Sequence, residues 1–211
     1  MKASYLIFFL IFSVMANTTV ASQTKRYEFK VFLDDMEIGH HHFKVSSNNE
    51  QTYINSDARF DVKFLFITAY TYLHSNSETW RNDCLQTINS STDDNGDEQF
   101  VRGEYKQSAF LVKTPDGNKQ LDGCVRSFAY WEPELLSSKK LLNVQTGEHV
   151  DVDIQSLGVS TITVRGIAVE ANHYRLNNEK FSIDLWYSRN KEWLALESTT
   201  ESGARLRYLV K

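Results

Sequence analysis

His40, His41 and His42 stand in a row near the start of the chain, and imidazole is the side chain that most often holds a metal or moves a proton near neutral pH. On a strand, alternation puts His40 and His42 on one face and His41 on the other. A His pair two positions apart is a spacing that zinc and copper sites use, but a metal needs further ligands. His74, His149, His173 or an acid would have to complete the shell, and no spacing in the sequence brings any of them near. With Phe43 and Val45 on the opposite face, the expectation is a His pair on the wet side of a hairpin and no metal site.

Asp93, Asn95, Asp97, Gln99 and Glu104 fall on positions 1, 3, 5, 7 and 12 of a calcium-loop template. The match fails where the geometry is strict: Glu98 occupies the position that needs glycine, and residues 85–88 and 100–105 read as strands where the template wants helices. A hairpin turn at Asn95-Gly96 explains the same residues. Hydrolytic chemistry has little footing, with no Gly-x-Ser-x-Gly elbow, no zinc-protease His-Glu pair and no glycine loop for phosphate. Asp151 and Asp153 alternate with Val150, Val152 and Ile154 and read as a solvated strand face. The sequence nominates no catalytic residue and no cofactor.

Residues 124–148 resist a bland reading most. Phe128, Tyr130 and Trp131 put three large aromatics into four residues, more than one face of a strand can take, so at least one points away from the main core. Tyr and Trp pair an apolar body with a polar tip, which suits a pocket wall. Asn143, Gln145 and Thr146 add neutral hydrogen-bonding groups nearby, either as ligand contacts or as a turn capped by its own side chains. Phe128, Tyr130, Trp131, Asn143, Gln145 and Thr146 are therefore the candidate ligand-binding set. Cys84 and Cys124, 40 residues apart, are the only cysteines and the candidate disulfide. Neither has a second Cys or a His at zinc-ligand spacing.

The elements that must position these residues are strands. Tyr27, Phe29, Val31 and Leu33 alternate with Glu28 and Lys30, Phe181, Ile183, Leu185 and Tyr187 with Ser182 and Asp184, and Leu206, Tyr208 and Val210 with Arg205 and Arg207. Turn signals at Asp34-Asp35, Asn95-Gly96, Pro115-Asp116-Gly117, Thr146-Gly147, Asn177-Asn178 and Ser202-Gly203 divide the chain into about ten β runs. Residues 133–142 form the clearest helical candidate, with Pro133 at a first-turn position. The expected fold is mainly all-β, a curled antiparallel sheet or open barrel with one short helix. So many twisted strands curl, and a curled sheet encloses a pocket.

Composition sets the compartment and the class of partner. Among 211 residues, 23 Lys and Arg face 27 Asp and Glu, and a net charge of −4 offers nucleic acid no footprint. Lys2 followed by an apolar run over residues 5–15 and small residues up to Ser22 reads as a secretory signal peptide over 1–22. Losing Lys2 with that leader takes the net charge from −4 to −5. No later segment is apolar enough to cross a bilayer, so residues 23–211 are expected to form one soluble β domain in the periplasm.

Trp80 with Cys84, Cys124, the Phe-Ala-Tyr-Trp run before Pro133, and the Leu-Leu-Asn-x-Gln-Thr-Gly-Glu run at Leu141 through Glu148 resemble a family of exported proteobacterial proteins known as a domain of unknown function. Glu132 departs from the neutral residue that family resemblance leads one to expect. The closing strands, from Asp184 and Trp186 to Tyr208, are more distantly similar to periplasmic lipoprotein-carrier folds, which implies a curled sheet with a helical lid over acyl chains. The expected function is binding of an apolar or amphipathic ligand, such as a lipid, in a sheet cavity. The alternatives are an enzyme with acid-base residues in that cavity, or an interaction module with a filled core.

Overall fold

A computed structural model describes residues 23–64, 67–200 and 202–211; the expected signal peptide lies outside them. From one end of the chain run β1 (Gln23–Leu33), β2 (Met36–Ser47), β3 (Thr52–Phe64), β4 (Ile67–Arg81), β5 (Cys84–Asp94), β6 (Asp97–Lys106), β7 (Ala109–Thr114) and β8 (Gly117–Asp122). After a crossing segment that carries β9 (Lys140–Leu142) and β10 (His149–Asp151) come β11 (Asp153–Val164), β12 (Ile167–Asn177), β13 (Ser182–Tyr187), β14 (Trp193–Thr199) and β15 (Arg205–Val210). All but β9 and β10 form one antiparallel sheet of 13 strands in the order β11-β12-β13-β14-β15-β1-β2-β3-β4-β5-β6-β7-β8.

Period-two patterning builds these strands. In β1, Tyr27, Phe29 and Val31 are buried while Glu28 and Lys30 are exposed. Two-residue hairpins with left-handed backbone join neighbours, as at Asn95-Gly96, where Asp93 Oδ1 accepts from the Gly96 N–H at 2.7 Å. The residues of the calcium template therefore lie on a hairpin between strands β5 and β6. The sheet remains open, with β8 and β11 as its edges. It wraps on itself: a single cluster of buried side chains links Val101 and Phe110 near one edge to Leu176 and Leu185 near the other.

The crossing segment, residues 123–152, runs from the β8 edge to the β11 edge inside the curve. Val125, Ala129, Leu135, Leu141, Leu142 and Val152 bury themselves in the main core. Its first turn is stapled to the start of β5 by the Cys84–Cys124 disulfide and by a 2.9 Å bond from the Leu85 N–H to the Val125 carbonyl. The expected helix over 133–142 is only a 3-10 turn, Pro133–Ser137. Glu132 caps it by accepting from the Glu134 N–H, and Ser138 is already extended. Serines compete with a helix through their own hydroxyls, and Leu141 and Leu142 are instead drawn fully into the core on β9.

Candidate ligand site

Cross-strand register sets the inner face of the sheet in rows. His41, Ala58, His74 and Thr92 form one row across β2 to β5; Phe43, Ser56, Asn76 and Ser90 form the next; Val45, Ile54, Glu78 and Ile88 the third. Small side chains on β3 keep the floor low, and β4 contributes an inward run of Tyr72, His74, Asn76, Glu78 and Trp80 at every second position. The roof is the crossing segment, and Phe181 and Ile183 close the far wall. Between them lies a cavity of about 280 Å³, near the lower bound of small-molecule sites.

The roof is pinned by polar contacts. Ser127 Oγ donates to Glu78 at 3.1 Å, Ser90 Oγ to the Val144 carbonyl at 2.5 Å, and the Tyr72 hydroxyl to Gln145 Oε1 at 3.1 Å. Asn143 Oδ1 accepts from the N–H groups of Gln145 and Thr146 at 2.8 and 3.3 Å, and Thr146 Oγ1 accepts from the Glu148 N–H at 3.2 Å, so these two side chains cap the turn. Gly147 finishes it with φ +71°, and a Cβ there would stand 2.4 Å from Thr114 Cγ2. Gly147→Ala is expected to cost roughly 1–3 kcal/mol from backbone strain and from lifting the turn off β7, read as a lower urea midpoint with an unchanged slope.

Of the six candidate ligand residues, Phe128, Tyr130, Trp131, Asn143 and Gln145 line the cavity, and Thr146 does not. Residues 128–131 are irregular instead of a strand, with successive tight turns in which Ala129 bonds back to Ser127 and Tyr130 to Phe128. That geometry lets all three aromatics reach the cavity, where strand alternation allowed fewer. Trp131 also packs edge-on against Trp80 at 5.6 Å between ring centres.

Sequence reasoning missed the polar floor. Glu78 is 4% exposed and accepts from Trp80 Nε1 at 2.6 Å, from Asn76 Nδ2 at 2.9 Å and from Ser127. Burial pushes its carboxyl pKa up, against the pull of those three donors. Burial also holds His74 down at about 4, with Nδ1 on Thr92 Oγ1 at 2.8 Å, and lowers His41 well below its ordinary value. Both rings are therefore neutral at pH 7. His41 Nδ1 and Nε2 and Asn76 Oδ1 are buried without a hydrogen-bond partner among the described residues. Such orphans cost about 1–3 kcal/mol each and call for a partner. The signal was present as alternate residues from Tyr72 to Trp80, but Ser75, Ser77 and Thr79 between them are polar too, so hydropathy marks no inner face.

A family model for a domain of unknown function, DUF6134, matches residues 29–211. Among curated proteins, no relative matches the chain. A solved structure titled as a β-barrel-like protein of domain of unknown function DUF1849, from Brucella abortus, superposes with a TM-score of 0.65 at 12% identity, over 92% of this chain and 98% of that one. At that identity the likeness speaks for the fold alone, a β-barrel-like sheet. No helix among the described residues is long and apolar enough to cross a membrane.

Proposed function

This chain belongs to the DUF6134 family of domains of unknown function, and from that premise we propose that it is an exported binding protein holding one small amphipathic molecule beneath the crossing segment. The observation that carries the reading is the pairing of an aromatic wall, Phe43, Phe128, Tyr130 and Phe181, with unpartnered buried polar atoms on His41 and Asn76 in one cavity. An apolar body occupies the wall, and a polar end satisfies the orphans. The disulfide supports export, since such bonds persist in oxidising compartments.

The cavity's charge narrows the ligand. No Lys or Arg lines it, and Glu78 sits in its floor. A carboxylate headgroup buried there would lack a counter-charge and costs several kcal/mol. The polar end is therefore neutral or cationic. An acid-base enzyme is less well supported: Glu78 and His74 are four residues apart on one strand, about 13 Å between Cα atoms, and His74 Nδ1 is committed to Thr92. A module with a filled core is disfavoured by the cavity itself.

The test is fluorescence titration of the mature protein with N-phenyl-1-naphthylamine, a neutral apolar dye, followed by displacement with dodecylamine or dodecanoate. Binding is expected, with dodecylamine displacing the dye at lower concentration. Phe128→Ala is expected to weaken dye binding about five- to tenfold, in line with loss of one aromatic wall, with the melting temperature held. No dye binding, or equal affinity in Phe128→Ala, would remove the proposed site.

A further inference from the structure

The outer face of the same sheet carries a second cluster, unconnected with the cavity. His40 and His42 stack there with ring centres 4.4 Å apart and planes 18° from parallel. Across on β3, register pairs Asp57 with His42. Asp57 Oδ2 stands 3.3 Å from His42 Nδ1 and 3.8 Å from His40 Nε2. One ligand atom from each of the three lies within 4.8 Å of the others. We propose that His40, His42 and Asp57 form a zinc-binding site on the outer wall of the sheet, with a water-accessible fourth position.

The geometry fits the ion. With Zn–N and Zn–O bonds of about 2.0–2.1 Å, tetrahedral ligand atoms sit about 3.4 Å apart. The His42–Asp57 distance already meets that, and the His40–Asp57 distance is within half an ångström. Two imidazoles and one carboxylate with an open position is a ligand set that zinc takes. The site is built on two paired strands, so the three Cβ atoms are fixed by backbone register, not by loop conformation.

The surrounding charges permit it. The cations that flank the cluster by register are engaged elsewhere: Arg59 is bidentate to Asp61 at 2.9 and 3.2 Å, and Lys30 reaches Glu37 at 2.7 Å. Glu28 stands opposite His42 on β1 and adds negative charge on the other flank. The strand places the third histidine, His41, on the inner face, out of reach of the ion.

The experiment is a Co²⁺ titration of metal-stripped mature protein, read by visible absorbance, with Zn²⁺ displacing Co²⁺ from the same site. One equivalent is expected. His42→Gln and Asp57→Asn are each expected to weaken Zn²⁺ binding about tenfold or more, while His149→Gln leaves it unchanged. These side chains are on the outer surface, so the metal-free melting temperature of His42→Gln should stay near the wild type. In the wild type, Zn²⁺ should raise that temperature, and in His42→Gln it should not. Failure to bind one equivalent, or affinity unaltered by both His42→Gln and Asp57→Asn, overturns the site.

Discussion

Reduction of the Cys84–Cys124 disulfide is expected to lower the melting temperature by about 10 °C. The bond closes a loop of 40 residues, and a loop of that length restricts the unfolded chain by about 4 kcal/mol. For a domain of this size each kcal/mol moves the midpoint by about 2–4 °C. The bond also fixes where the crossing segment enters the curve, beside the bond from the Leu85 N–H to the Val125 carbonyl and under the Arg126 contact to the Asp83 carbonyl at 3.0 Å. Loosening that entry releases the first part of the cavity roof, so ligand affinity is expected to fall with stability. Thermal melts of the native protein and of the double variant Cys84→Ala, Cys124→Ala would check this; superimposable curves would refute it.

Acidification is expected to destabilise the fold below neutrality through the two buried histidines. His74 has a folded pKa of about 4 against 6.5 in the unfolded chain, and His41 is shifted in the same direction. Between those values the unfolded chain takes up protons that the folded one refuses, so stability falls as pH drops from 6.5 towards 4. At pH 5 the loss is about 2 kcal/mol for His74 alone. Glu78 acts in the opposite sense, because its raised pKa lets the folded state take up a proton first. His74→Gln should remove its share of the slope in urea midpoints measured between pH 7.5 and 5.0. An unaltered slope in that variant would show that His74 does not titrate as its burial dictates.

Sequence patterning was enough for the architecture where one face of a strand is apolar and the other wet. β1 carries that alternation from Tyr27 to Val31, and Asn95-Gly96 turns the chain as its residues suggest. The count of about ten strands fell short because some hairpins use residues that rarely announce a turn. Gln107-Ser108 and Arg165-Gly166 each adopt left-handed backbone at both positions, as does Asn82-Asp83. At Gln107-Ser108 the pairing of β6 with β7 imposes that conformation, whereas Asn82, Asp83 and Gly166 tolerate it locally. The aromatic part of the cavity was legible as the density of large side chains at residues 128–131. The polar part was not, since β4 is polar on both faces and only the crossing segment decides which face is dry.

The bond between β1 and β15 sets the order of assembly. Phe29 faces Val210 and Leu33 faces Leu206 across that seam, far apart along the polypeptide. Every other neighbouring pair in the large sheet is joined by a short local connection. Two ribbons, β1 to β8 and β11 to β15, can each grow by local zipping, whereas the seam must wait for distant partners to meet and is slow for that reason. Until its tail arrives, the outer edge of β1 stays unpaired and open to self-association.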